Sequence, residues 1–231
     1  MSDRLYFGGM SLVFAVTTIA GFARTYYFKA FTGADALTPL VAWHGFVFSL
    51  WPALLLMQTT LVARRRLSLH RTLGIAGAVL SVLMIVIGMM AAIEAAQLGH
   101  RGASPVEMPD ALMFLAIPVR DLFVFAVLAG LGFWYRHSPA THKRLMLLAT
   151  LGGILPAPDG RLQALGPGMA IAGIVFALAL LQSGPLNDWF AHRRVYAAYA
   201  VGVPFVLLAA ATTRTVALSG WWHAVAAWLV A

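Results

Sequence analysis

LGIAGAVLSVLMIVIGMMAAIEAAQL, residues Leu73–Leu98, carries one charged side chain, Glu94, in a run long enough to cross a lipid bilayer. A hydrocarbon core of ~30 Å takes ~20 apolar residues at about 1.5 Å of rise each. Six more runs that meet or approach this length lie at 5–28, 40–62, 111–135, 145–165, 168–182 and 195–218, and residues 221–230 add an apolar segment suited to the interface. Hydrophobic residues make up 61% of the 231-residue chain and charged residues 10%, too few polar groups to clothe a water-soluble core. The expected fold is all-α: one polytopic transmembrane bundle of about seven helices filling residues 1–231. The first run has no small-residue cleavage site followed by a polar region, so it reads as a retained helix.

The formal net charge of +8 does not point to nucleic acid, because the basic residues sit in short turns between apolar runs. There they orient the protein and meet anionic lipid heads. Arg64, Arg65, Arg66 and Arg71 follow the second run, Arg136, Lys143 and Arg144 the fourth, and Arg193 and Arg194 the sixth. The alternate connections hold only Lys29, Arg101 and Arg161. The positive-inside rule then places the amino terminus in the cytoplasm and the carboxyl terminus outside, in a bacterial inner membrane. Trp43, Trp134, Trp189, Trp221 and Trp222 fall near the expected interfaces. The chain has no cysteine, which removes disulfides, thiolate catalysis and Cys-held metals.

Two runs look irregular. Pro52 interrupts the second, and Pro156-Ala157-Pro158-Asp159-Gly160-Arg161 breaks the fifth at roughly 17 Å from Leu145 by helical rise. Carbonyls freed at such depth must face protein or a wet cavity; a short helix followed by a re-entrant or surface loop is the alternative. Gly74, Gly77, Ser81 and Gly88 line one face of the third run and suit close helix packing. Met84, Met89, Met90, Met113, Met146 and Met169 read as apolar filler.

The sharpest functional signal is Arg120-Asp121, about 14 Å into the fourth run by helical rise. A charge at mid-bilayer costs ~2.5–3.5 kcal/mol even on lenient scales, so partners are expected. Neighbouring residues point about 100° apart, so the two are not expected to satisfy only each other. Glu94 or Asp159 is the expected partner of Arg120; Arg24, Arg161, Arg214 or a protonated His44 is that of Asp121. Topology gathers these eight residues in the outer half, as a polar pocket opening outward. The competing reading is a structural ion-pair network, with Arg24, Arg161 and Arg214 snorkelling separately.

His44 suggests a metal or haem site, with Glu94, Asp121 or Asp159 as further ligands, or else a hydrogen-bonded lone histidine. No second histidine shares its depth to complete a bis-histidine haem. Haem and metal therefore stay open but are not favoured, and the cofactor is unknown. His70, His142 and His192 recur as His-Arg or His-Lys openings of the third, fifth and seventh runs, either as a degenerate repeat or as three independent anchors. They form a second candidate cluster, at the cytoplasmic side. Both lysines, Lys29 and Lys143, fall at helix ends, which argues against a retinal Schiff base.

Leu69-His70-Arg71-Thr72-Leu73-Gly74, after Gln58, and His142-Lys143-Arg144-Leu145-Met146 resemble loop motifs of uncharacterised bacterial seven-helix membrane proteins, as does Arg214 before a Trp-bearing carboxyl terminus. The resemblance spans about His44 to Trp228 and implies fold and membrane location, with no activity to transfer. The His70 motif is also similar to cytochrome b561-like proteins, although paired intramembrane histidines are lacking here. The leading functional expectation is binding or transport of a small, anionic or lipid-like ligand. The alternatives are a membrane-embedded metal- or haem-dependent enzyme using His44, and a scaffold subunit of a larger membrane complex. Membrane lipids are expected partners in each case, and an oligomer or larger complex is compatible with all three.

Overall fold

The computed structural model describes residues 3–33, 36–99, 110–155 and 166–231. The described residues are helical, without strands. Helix α1 (Asp3–Phe22) runs on into a π-helical stretch, Ala23–Tyr27, and the short α2 (Lys29–Thr32) follows. Then come α3 (Pro39–Ala63), α4 (Leu67–Gln97) and α5 (Ala111–Trp134). Helix α6 (Pro139–Ala149) ends in a second π-helical turn, Thr150–Ile154. Helices α7 (Pro167–His192), α8 (Ala197–Ala217) and α9 (Gly220–Val230) complete the chain.

Six of these elements are long and apolar enough to cross a membrane, where seven were expected. The described part of the fifth run, residues 145–155, belongs to an 11-residue α-helix closed by a 5-residue π-helical turn, and every residue from Arg144 to Leu155 except Met146 is buried. Hydrophobicity alone cannot tell a span facing lipid from a core helix walled in by other helices. The proline-rich break at 156–161, with Asp159 and Arg161, lies outside the described residues.

The sixth run also needs correcting. It was expected to end at Gln182, but α7 continues through Pro185 to His192 and carries Asp188 into the bundle. Likewise α4 starts at Leu67, six residues before the expected Leu73. The 221–230 segment is helical, as α9, and packs on α4 and α5.

Helix α5 is the hub, contacting α4, α6, α8 and α9, while α1 lies against α3. Phe14, Trp51, Met84, Phe125, Leu148 and Tyr199 form the main core. Of the small-residue face on α4, Gly77, Ser81 and Gly88 are buried: a Cβ on Gly77 would sit 3.1 Å from Leu54, and one on Gly88 2.9 Å from Leu122. Gly74, by contrast, faces open space. Large side chains such as Ile75, Val79, Val82, Ile171, Val175 and Val201 are exposed, the surface a bilayer would cover.

Several hydroxyls inside these helices are satisfied locally, as apolar surroundings favour. Thr17, Thr18, Ser49, Thr60 and Thr213 each donate to the carbonyl one turn earlier. The end of the bundle that carries Asp3 is called basal here, and the end carrying α9 distal.

Candidate functional site

Arg120 and Asp121 sit in the distal half of α5. Arg120 reaches its neighbour on the same helix: Nε donates to Asp121 Oδ1 at 2.8 Å and Nη2 lies 2.5 Å from the same oxygen. Nη1 donates to Thr213 Oγ1 on α8 at 3.3 Å. Arg120 thus pairs with its sequence neighbour, where a carboxylate from another helix was expected, and reaches Thr213 besides; the three-carbon stem of arginine spans the angular gap. The pair is not sealed: the side chains are 20% and 11% exposed.

The other expected members of this pocket distribute as follows. Glu94 is not the partner of Arg120; its Oε2 accepts from Thr38 Oγ1 at 2.6 Å, linking α4 to the start of α3. The same Thr38 oxygen accepts from Val41 N–H and so caps α3. His44 stacks on Phe48 one turn along, with ring centroids 4.1 Å apart. Arg24 and Arg214 are exposed, and neither pairs with an acidic side chain among the described residues. That fits snorkelling for those two. The structure thus brings Arg120, Asp121 and Thr213 into contact and holds Glu94 with Thr38.

The tip of α6 approaches this group closely. A Cβ on Gly153 would lie 2.7 Å from Phe125 N and 2.8 Å from the carbonyl oxygen of Asp121. Only glycine lets the π-helical turn rest on the α5 backbone there. Trp51 Nε1 donates to Thr150 Oγ1 at 3.1 Å and fixes the same turn from α3. Such π-helical turns often mark functional positions.

Above the group, α9 closes the distal end. Trp222 Nε1 donates to the carbonyl of Leu112 at 2.7 Å, and Gln97 Nε2 to that of Val230 at 3.0 Å. Asp110 caps α5 by accepting from Met113 N–H at 2.8 Å, and His223 Nε2 lies 3.4 Å from its other oxygen. The Met113 N–H, opposed by partial burial and helped by His223, holds the Asp110 carboxyl below its ordinary value.

A second buried Arg–Asp pair escaped the sequence reading. Arg144, counted there as a basic anchor, is fully buried and meets Asp188 of α7. Its Nε donates to Oδ2 at 2.8 Å and to Oδ1 at 3.1 Å, Nη2 pairs with Oδ1, and Nη1 donates to the Ala140 carbonyl at 2.6 Å. The guanidinium carbon also lies 3.6 Å from the centre of the Tyr196 ring. The available signal was the apolar run Leu186, Trp189 and Phe190, which continues past Pro185 and puts Asp188 on a helix.

The three basal histidines share one end of the bundle without converging on one point. His70 and His142 face each other with ring centroids 6.3 Å apart, and His142 Nδ1 lies 2.8 Å from the Gly132 carbonyl oxygen. His192 instead lies 3.0 Å from Asp3, whose second oxygen pairs with Lys143. Among the described residues, no three His, Asp or Glu side chains group as a metal set.

Two concavities on the surface are apolar. One, of about 350 Å³, is lined by Pro39, Ala42, Trp43 and Phe46; the other, of about 480 Å³, lies between α3 and α4. Neither is lined by Arg120 or Asp121. The resemblance noted above rests on the His70, His142 and Arg214 segments alone: no family model, curated protein or solved structure matches this chain.

Proposed function

We propose that this chain is a multi-pass protein of a bacterial inner membrane, with its amino terminus cytoplasmic, that binds or moves a small anionic or lipid-like ligand at Arg120. The observation that carries the reading is the contrast between its two Arg–Asp pairs. Arg144 spends its donors on Asp188 and a carbonyl in a setting closed to any ligand. Arg120 concentrates Nε and Nη2 on one carboxylate oxygen, touches Thr213 at the outer limit of hydrogen bonding, and keeps a fifth of its side chain open. Guanidinium has five N–H donors, so Arg120 retains some for a carboxylate or phosphate. With the basic turns inside, the group lies in the outer half of the bundle.

The test is equilibrium dialysis of the purified protein in neutral detergent against radiolabelled dodecyl phosphate. Retention by the wild type, at least tenfold weaker in Arg120→Gln at unchanged elution volume, supports the reading. Equal retention by both proteins, or loss of folded Arg120→Gln protein on the scale of Arg144→Gln, makes the pair structural. An absorption spectrum and metal analysis of the same preparation address the enzyme alternative that uses His44. Size analysis of the protein extracted from native membranes addresses the scaffold alternative.

A further inference from the structure

The basal turn between α3 and α4 is built from Arg64-Arg65-Arg66, and Arg71 follows one turn into α4. All four are exposed, and none pairs with an acidic side chain among the described residues. Arg65 has φ of 59°, the left-handed region where a helix terminus ordinarily places glycine. Its N–H donates to the Val62 carbonyl at 3.1 Å, and that of Arg66 to the Leu61 carbonyl at 2.9 Å, so the turn is tightly wound. A charged, β-carbon-bearing residue is thus held where glycine would be easier, in the middle of a run of three cations. Residues held in such conformations cluster at ligand clamps and other functional sites.

The apolar groove between the same two helices points to that use. It is lined by Leu50, Ala53, Leu54 and Met57 of α3, facing Ala76, Val79 and neighbours of α4. At about 1.5 Å per residue, its α3 wall runs from roughly 10 to 21 Å below Arg64. That is the depth an acyl chain occupies when its headgroup sits at the turn. Ala53 and Ala76 are exposed small residues that leave the floor open.

We infer that α3, α4 and their arginine turn form a binding site for one anionic phospholipid, with the phosphate among Arg64, Arg65, Arg66 and Arg71 and an acyl chain in the groove. This site lies at the opposite end of the bundle from Arg120 and does not depend on the reading given for that residue. Anionic lipid is the occupant that charge complementarity selects: a second copy of this chain would bring the same four cations against the turn. The negative end of the α3 dipole also faces the turn, and the cluster of guanidinium groups outweighs it.

Native mass spectrometry from mixed micelles of phosphatidylglycerol and phosphatidylcholine with matched acyl chains tests the site. The wild type retains one phosphatidylglycerol at collision energies that strip phosphatidylcholine. Arg65→Gly relieves the backbone while removing the central charge, and Ala76→Phe fills the groove while leaving the charges. Each lowers that retention at least fivefold, with elution volume and helicity unchanged. Equal retention of the two lipids by the wild type overturns the inference, as does a wild-type preference that survives both substitutions. A dimer that Ala76→Phe splits into monomers also overturns it, by assigning the groove to a second copy.

Discussion

Arg144 on α6 and Asp188 on α7 meet where their side chains are 0% and 1% exposed, and they tie the 11-residue α6 to its neighbour. Two charges without water are stable only while each has the other. Arg144→Met should therefore cost about 3–5 kcal/mol by stranding the carboxylate. Arg144→Met combined with Asp188→Leu should recover most of that loss, because an apolar pair needs no desolvation. Unfolding of both variants in mixed micelles, followed by circular dichroism, reads the difference. A double variant as unstable as the single one would show that the pair does more than neutralise itself.

How far the sequence reveals this architecture depends on which signal each element carries. The helical class and most boundaries follow from run length, since a bilayer imposes its thickness directly on composition. Burial does not: α6 reads like its neighbours until the structure shows it enclosed by α5, α8 and the core around Trp51. Arg120-Asp121 stood out because two charges interrupt an apolar run. Arg144 did not, because it follows His142 and Lys143 in what reads as an interfacial turn. Pairings were the least legible part, since Arg120 chose its own neighbour and Glu94 chose Thr38. A long flexible side chain can satisfy several geometries, and helix periodicity ranks them poorly.

The contact between Gly153 and the α5 backbone gives a sharper test of the α6 tip. The nearest atoms to an added Cβ include Phe125 N and Asp121 O, which cannot step aside as a side-chain end can. Gly153→Ala should destabilise by about 1–3 kcal/mol through overpacking. Gly8→Ala is the control, because a Cβ there meets nothing within 4 Å. It should gain up to about 1 kcal/mol from helix propensity. Thermal unfolding of the two single variants in one detergent measures both signs.

Asp110 gives a pH dependence of defined sign. Its carboxyl is held below its ordinary value, first by the Met113 N–H and then by His223. A carboxylate whose value is lowered on folding contributes fully above its unfolded value, and the contribution fades as pH falls through the folded one. Asp110→Ala should cost about 1 kcal/mol at neutral pH through loss of the cap. The gap between wild type and Asp110→Asn should begin to narrow below about pH 4, the unfolded value, and go on closing as the folded carboxyl protonates at lower pH. Melting temperatures from pH 3 to pH 7 give the comparison, and a gap that stays constant over that range would separate the cap from the charge.

Thr38 has two duties at the distal entry to α3, capping Val41 N–H and donating to Glu94. Thr38→Ser keeps the hydroxyl and should be close to neutral. Thr38→Val removes the cap, worth about 1 kcal/mol. It also leaves a half-buried carboxylate short of a donor, worth about 1–3 kcal/mol more. If the second term is real, Thr38→Val in a Glu94→Leu background should cost only the cap. Equal losses from Thr38→Val in both backgrounds would mean that Glu94 is solvated and contributes no tie between α3 and α4. A full double-mutant cycle in thermal unfolding isolates that coupling, and it does so at the rim of the half-bundle where the Arg120 group lies.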